Sequence, residues 1–247
     1  MMWPSYPINL ADNTARPDNS TAQFMAQAIP FERINAVNGW ALTPNEITQN
    51  YDVAANKTHA NAPLVASKIG CYLSHIAAWK RIANCDAAGG FVFEDDFLAD
   101  DTSGATLADL TVAQSDWDMV KLFSFDQSPK AVFETTLGTK RLVVPYRVPT
   151  CLIGYGMTKQ AAQKLLTQVS PFFRPVDEDQ KFFWETDLKT ALVLPSPIVV
   201  GDQQTATGII GAQRRKLKPK GLSVLWRALR YRLNYTLKLH WYRRGTR

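Results

Sequence analysis

The 247-residue chain has three cysteines, no long apolar run, and no acidic residue anywhere in residues 213–247. Each absence excludes something. Cys71, Cys85 and Cys151 are odd in number and show no C-x-x-C spacing, so the sequence supports neither a disulfide framework nor a structural zinc site. A reducing, cytosolic setting is predicted. No stretch approaches the ~20 apolar residues that a membrane-spanning helix needs. The first seven residues, MMWPSYP, carry no basic charge and no apolar core, so no secretory signal is expected. There is no internal repeat and no low-complexity tract.

What is present is 46% hydrophobic and 11% aromatic residues, enough to bury a core and to exclude a disordered or collagenous chain. The formal net charge of +6 conceals a split. Residues 213–247 hold 12 of the 28 basic residues and none of the 22 acids, so this tail carries +12 and the rest of the chain −6. The sequence predicts a body at 1–212 that carries the chemistry and a basic tail at 213–247 with a different task.

Apolar patterning predicts strands at 6–10, 91–93, 119–123, 141–144, 151–155 and 190–194. Helices are predicted at about 17–27, at 64–83 with a stripe of Leu64, Ile69, Leu73, Ile76 and Ile82, and from a Thr158 cap to Val169. A short acidic helix follows near Asp177, and the Asn-rich region from Gly39 to Ala62 reads as loop with short helical pieces. Alternating strands and helices predict an α/β fold with a mostly parallel, Rossmann-like sheet flanked by helices.

Three polar clusters can carry chemistry. The apolar strand Phe91-Val92-Phe93 runs directly into Glu94-Asp95-Asp96. Residues two apart on a strand share a side, so Glu94 and Asp96 can present two carboxylates where ligands gather in open α/β sheets. Such oxygen donors suit Mg²⁺ or Mn²⁺ bridging a diphosphate, although a solvated acidic turn has the same pattern. The second cluster is Gly70-Cys71-Tyr72-Leu73-Ser74-His75 with Trp79. Gly70 allows close backbone approach, while Ser74 and His75 offer hydrogen bonds to a phosphate or sugar; a helical histidine beside an aromatic can equally be structural. Cys71 and His75 have an i, i+4 spacing, but no further soft ligand stands nearby. In the third cluster, Asp177-Glu178-Asp179, an acid can serve as a general base or cap the next helix.

In this order the blocks resemble glycosyltransferase family 25, the lipooligosaccharide-type sugar transferases. The carriers are Ile8-Asn9-Leu10 with Arg16, Ile34-Asn35-Ala36-Val37-Asn38-Gly39, Gly70-Cys71-Tyr72-Leu73-Ser74-His75 with Trp79, Phe93-Glu94-Asp95-Asp96, Gly154-Tyr155, Leu165-Leu166 and Arg174-Pro175-Val176-Asp177. The chain departs from the pattern at Pro4 and Pro7, at Ala11, and at Lys68, where an acid is usual. The resemblance implies an A-type glycosyltransferase fold, a UDP-hexose donor, Mn²⁺ or Mg²⁺, and inverting transfer of a hexose, galactose foremost, to a lipooligosaccharide or lipopolysaccharide acceptor. It places Glu94 and Asp96 on the metal. Asn9, Arg16, Gly70, Ser74, His75 and Asp95 then stand at the donor, and Asp177 acts as base with Asp179 and Asp187 in reserve. The rival classes are a metal-dependent phosphohydrolase or nuclease built on the same carboxylates, and a non-catalytic binding protein.

In the tail, steps of 100° bring Leu222, Leu225, Trp226, Leu229, Leu233 and Leu237 onto one face, with Arg227, Arg230 and Lys238 opposite or at the boundary. This predicts a basic amphipathic helix on an anionic membrane surface, with the protein peripheral on the inner face of the cytoplasmic membrane. The alternatives are a helix packed on the acidic body and, less expected, a nucleic-acid-binding tail.

Overall fold

The computed structural model describes residues 2–10, 15–113, 117–201 and 222–245. The predicted turn at 11–14 and the boundary at 212 lie outside the described residues. The strands are β1 (Ser5–Asn9), β2 (Ile34–Asn35), β3 (Gly89–Phe93), β4 (Phe97–Ala99), β5 (Met119–Lys121), β6 (Ala131–Leu137), β7 (Lys140–Pro145), β8 (Gly154–Thr158), β9 (Thr190–Leu194) and β10 (Ile198–Val200). The helices are α1 (Ala15–Ala26), α2 (Pro44–Asn50), α3 (Val53–His59), α4 (Ala66–Asn84), α5 (Ser103–Val112), α6 (Lys159–Gln168), α7 (Val176–Asp179), α8 (Phe183–Thr186) and α9 (Leu222–Gly245).

Eight strands form one sheet in the order β2-β1-β3-β8-β5-β9-β7-β6, and β4 pairs with β10 in a separate ribbon. Parallel pairs join β1 to β2, β1 to β3 and β5 to β9. However, β8 is antiparallel to both β3 and β5, and β7 is antiparallel to both β9 and β6. The sheet is therefore mixed, which corrects the expectation of a mostly parallel one. The cause is the β6–β7 hairpin, closed at Gly138 with φ of +54°, after which the chain re-enters the sheet centre as β8 from the opposite end. The strand expected at 151–155 begins three residues later, because Cys151 has φ of +79° and breaks the extended backbone.

Alternation along β3 explains its wholly apolar sequence. Phe91 and Phe93 join the core under α1 and α5 with Phe24, Leu107 and Trp117, while Val92 joins the core under α4 and α6 with Tyr72, Trp79 and Leu165. Pro7 is tolerated inside β1 for a definite reason. Ser5 and Asn9 turn their backbone groups toward the 30–36 segment, so the N–H that Pro7 lacks would point the same way, into the gap between the Phe31 bridge and the two-residue β2.

The tail helix α9 lies on the body through the face opposite the Leu225, Leu229, Leu233 and Leu237 stripe. Tyr235 and Leu239 are buried with Val148, Phe182 and Phe183, and Tyr231 and Tyr242 pack beside them. Arg227 Nε donates to the Ala60 carbonyl at 2.7 Å near one end, and Arg243 Nη2 donates to the Pro145 carbonyl at 2.6 Å near the other. Leu225, Trp226, Leu229, Leu233, Leu237 and Trp241 are all exposed, Trp226 at 69% and Leu237 at 66%. The packing alternative thus holds for one face of the helix and leaves the predicted leucine stripe outward; the Leu222 side chain lies outside the described residues. Among the described residues no helix is long and apolar enough to cross a membrane.

Candidate active site

The directions of the strands bring the C-terminal ends of β1, β3 and β5 and the start of β8 to one edge of the sheet. At that edge a cleft of about 260 Å³ opens between the end of β1, the 36–40 segment, the first turns of α4 and the exit of β3. Ser67, Cys71, Ser74, His75, Glu94 and Asp95 supply its polar wall, and Trp40, 61% exposed, stands at the rim.

The shape of the cleft depends on two glycines. A Cβ on Gly70 would stand 2.5 Å from the Gly39 nitrogen and the Val37 carbonyl oxygen, and one on Gly39 would stand 1.8 Å from the Ala66 carbonyl oxygen. Gly70 is therefore spent on contact between α4 and the 37–39 segment. Ser74 reinforces that contact: its hydroxyl accepts from the Val37 N–H at 2.8 Å and donates to the Gly70 carbonyl at 2.7 Å.

His75 is buried and belongs to a chain of hydrogen bonds that ends on Glu94. The Trp79 indole N–H, which can only donate, reaches the Tyr155 oxygen at 2.8 Å; Tyr155 lies 2.9 Å from His75 Nδ1, and His75 Nε2 lies 3.2 Å from Glu94 Oε1. Burial raises the Tyr155 pKa, so it remains a neutral hydroxyl. Burial opposes the imidazolium, but Tyr155, Cys71 and Glu94 against the ring outweigh it and hold the His75 pKa well above the ordinary value. In the charged ring both nitrogens carry protons. In the neutral ring Tyr155 donates to Nδ1 and leaves the proton on Nε2. Either way an N–H faces Glu94, which fixes that carboxylate at the mouth of the cleft.

The residues that sequence grouped do not all meet here. Strand geometry ends at Phe93, residues 94–96 form a turn into β4, and Glu94 and Asp95 rather than Asp96 line the cleft. Asn9 closes β1, 2% exposed, with an Oδ1 that takes no hydrogen bond among the described residues. Arg16 falls in the first turn of α1, and its side chain lies outside the described residues. Of the three acids, Glu94 and Asp95 face the cleft, and carboxylate oxygens of this kind suit hard ions such as Mg²⁺ or Mn²⁺. Cys71, His75 and Glu94 also lie within 4.8 Å of one another, a donor set suited to a softer ion, though there the His75 nitrogen already faces Glu94 with a proton.

The three candidate bases differ sharply. Asp177 is half-buried, its Oδ1 takes no hydrogen bond among the described residues, and Lys68 Nζ stands 3.8 Å away. Asp179 is fully engaged: it accepts from Tyr72 Oη at 2.5 Å and from Arg174 Nε at 2.7 Å. Burial pushes its pKa up despite the adjacent Arg174. Asp187 is 81% exposed and pairs with Lys164 on α6 at 3.4 Å.

Two residues of this region were missed by sequence reasoning. Trp40 was passed over within a polar stretch, although a large aromatic beside Gly39 was the available signal. Lys121, read only as part of a strand, is 1% exposed at the end of β5, donates to the Pro149 carbonyl, and has Cys151, Asp177 and Glu94 around it. Burial lowers its pKa to about 8. Between pH 8 and the unfolded value of 10.5 the unfolded chain keeps this proton and the folded chain releases it, so stability rises with pH across that window. Relative to Lys121→Met, wild type is expected to gain up to roughly 3 kcal/mol over that range in urea titrations at successive pH values. A gap that does not change with pH would show Lys121 to be unperturbed.

A model of glycosyltransferase family 25, described as an LPS biosynthesis protein, matches residues 2–179. Procollagen galactosyltransferase 2 of Mus musculus is 27% identical over 183 residues, covering 70% of this chain and 29% of that protein. Procollagen galactosyltransferase 1-A of Xenopus laevis is 28% identical over 185 residues, covering 69% and 29%. The inactive glycosyltransferase 25 family member 3 of Homo sapiens is 28% identical over 185 residues, covering 70% and 30%. The chain thus spans under a third of the length of these relatives.

Proposed function

This chain belongs to glycosyltransferase family 25, and from that premise we propose that it transfers galactose from UDP-galactose, with inversion, to a lipooligosaccharide or lipopolysaccharide acceptor. The observation that carries the reading is the carboxylate Glu94, held at the cleft mouth by the buried Trp79, Tyr155 and His75 chain. The cleft takes the nucleotide sugar. Trp40 offers a flat face for the base, and Asn9 has an acceptor oxygen to satisfy at the end of β1. Mn²⁺ or Mg²⁺ held by the cleft-lining Glu94 and Asp95 would neutralise charge on the departing diphosphate. Asp177, whose Oδ1 faces Lys68 but accepts no hydrogen bond among the described residues, takes the proton from the acceptor hydroxyl.

A thermal-shift screen of UDP-, GDP- and CMP-sugars with and without Mn²⁺ tests this. A ligand at 100 times its Kd adds about 2.7 kcal/mol, or roughly 5–10 °C for a chain of this size. One UDP-sugar is expected to reach that shift with Mn²⁺ present. No shift with any nucleotide sugar would reject the transferase reading.

The acceptor belongs to a membrane, and we propose that the outward leucine face of α9 rests on the anionic inner leaflet of the cytoplasmic membrane. Basic side chains near such a surface contribute about 1 kcal/mol each, and burial of each leucine adds about 1.5–3 kcal/mol. Leu229→Glu with Leu233→Glu alters only exposed positions. It is expected to weaken binding to anionic vesicles about a hundredfold or more in flotation assays, with the melting temperature unchanged. Undiminished binding would remove the membrane from the account.

A further inference from the structure

A second cleft, of about 550 Å³, lies between α9 and the turn at 147–150. Among the described residues its polar wall holds Arg147, Lys181 and Arg232 against the single acid Glu178, and that acid already accepts from the Tyr231 hydroxyl at 3.0 Å. Tyr231 and Tyr235, one helical turn apart on α9, line the same wall. The Lys181 ammonium lies 4.8 Å from the Tyr235 ring centroid and 5.5 Å from that of Tyr231. A bound anion would offset the cost of holding this partly buried cation, whose pKa is lowered by burial.

The position of the cleft relative to the acids gives it a role. Asp177 and Glu178 are consecutive on α7 and turn to different partners: Asp177 to Lys68 on α4, which walls the donor side, and Glu178 to Tyr231 on α9. The second cleft therefore begins one residue from the proposed base, on the side away from α4. Excess positive charge beside flat aromatic faces fits an anionic sugar, with the charge on the cations and the ring's C–H face on a tyrosine.

We propose that this cleft is the acceptor subsite and that it seats a phosphorylated sugar, with the phosphate on Arg147, Lys181 and Arg232 and the ring against Tyr231 and Tyr235. The assignment rests on the transferase reading given above. It makes the tail helix a wall of the substrate site as well as a surface element.

The test is an NMR titration of the full chain with glucose 6-phosphate, glucose, inorganic phosphate and dihexanoyl phosphatidate. It is run on wild type, on Arg147→Gln with Lys181→Gln, and on Arg232→Gln. Glucose 6-phosphate is expected to bind wild type at least about tenfold more tightly than either glucose or phosphate. The double variant is expected to lose about tenfold or more of that affinity, and Arg232→Gln a smaller part, with the UDP-sugar melting shift retained in both. Variants that bind like wild type would overturn the proposal, as would wild type without millimolar binding. Phosphate binding as tightly as the sugar phosphate would overturn the sugar assignment, and tighter binding of the phosphatidate would assign the cleft to a lipid headgroup instead. If the cations prove necessary for glucose 6-phosphate while no nucleotide sugar shifts the melting temperature, the subsite stands and the transferase reading fails.

Discussion

Asp177→Asn is expected to lower kcat by roughly 10²–10⁴ while leaving donor affinity nearly unchanged. Asparagine keeps the shape of the side chain and cannot accept the acceptor's proton, so the loss falls on the chemical step. Asp177 is singled out by what surrounds it. Asp179 already accepts from Tyr72 and Arg174, and Asp187 stands in solvent beside Lys164. Of these three acids, Asp177 alone combines partial burial with an oxygen that receives no hydrogen bond among the described residues. Steady-state kinetics with the donor identified by thermal shift, together with donor titration of the variant, measures both quantities. Loss of donor affinity with kcat preserved would return Asp177 to a binding or capping role.

The largest stability effect is expected at Arg174. This guanidinium, 5% exposed, pairs with Asp179 at 2.7 Å and with Glu185, and it lies over the rings of Phe182 at 3.8 Å and Phe173 at 4.5 Å. Removing one member of a buried charge cluster strands the others, which typically costs about 3–5 kcal/mol. Arg174→Met is therefore expected to lower the melting temperature by about 10 °C or more. The deficit should shrink as the pH falls and the stranded acids protonate. Lysine should rescue little, because one ammonium cannot span two carboxylates as the planar fork does. A variant that melts with wild type would mean that the cluster adds nothing to stability.

Much of this was legible in the sequence where one local pattern decided the outcome. A strand buried on both faces must be apolar throughout, so Phe91-Val92-Phe93 and the acids after it could be read directly. The Thr158 cap and the helix after it were legible for a similar reason: the side chain accepts from the Ala161 N–H, as a capping threonine does. Strand order and direction were not legible. The edge strand β6, AVFETTL, is almost wholly exposed, and β8, GYGMT, contains two glycines, so neither has the apolar signature of a central strand. Strand alternation aligned Glu94 with Asp96, but the backbone turns at 94–96 and the alternation stops. In the tail the 3.6-residue period revealed which residues share a face. Which face would pack could not be read, because α9 has a leucine stripe on one side and tyrosines with Leu239 on the other, and both can bury area.

The attachment of α9 has a consequence for how the enzyme meets its acceptor. The helix is pinned near both ends, through Arg227 to the 56–60 segment and through Arg243 to the 145–146 segment. It is thus a keel rather than a tether. A keel lying on a bilayer sets the roll and tilt of everything bolted to it, so both clefts would face the membrane plane at a fixed angle. On the membrane-bound reading proposed above, encounter with a membrane-borne acceptor would become a search over two translations and one rotation, in place of three of each.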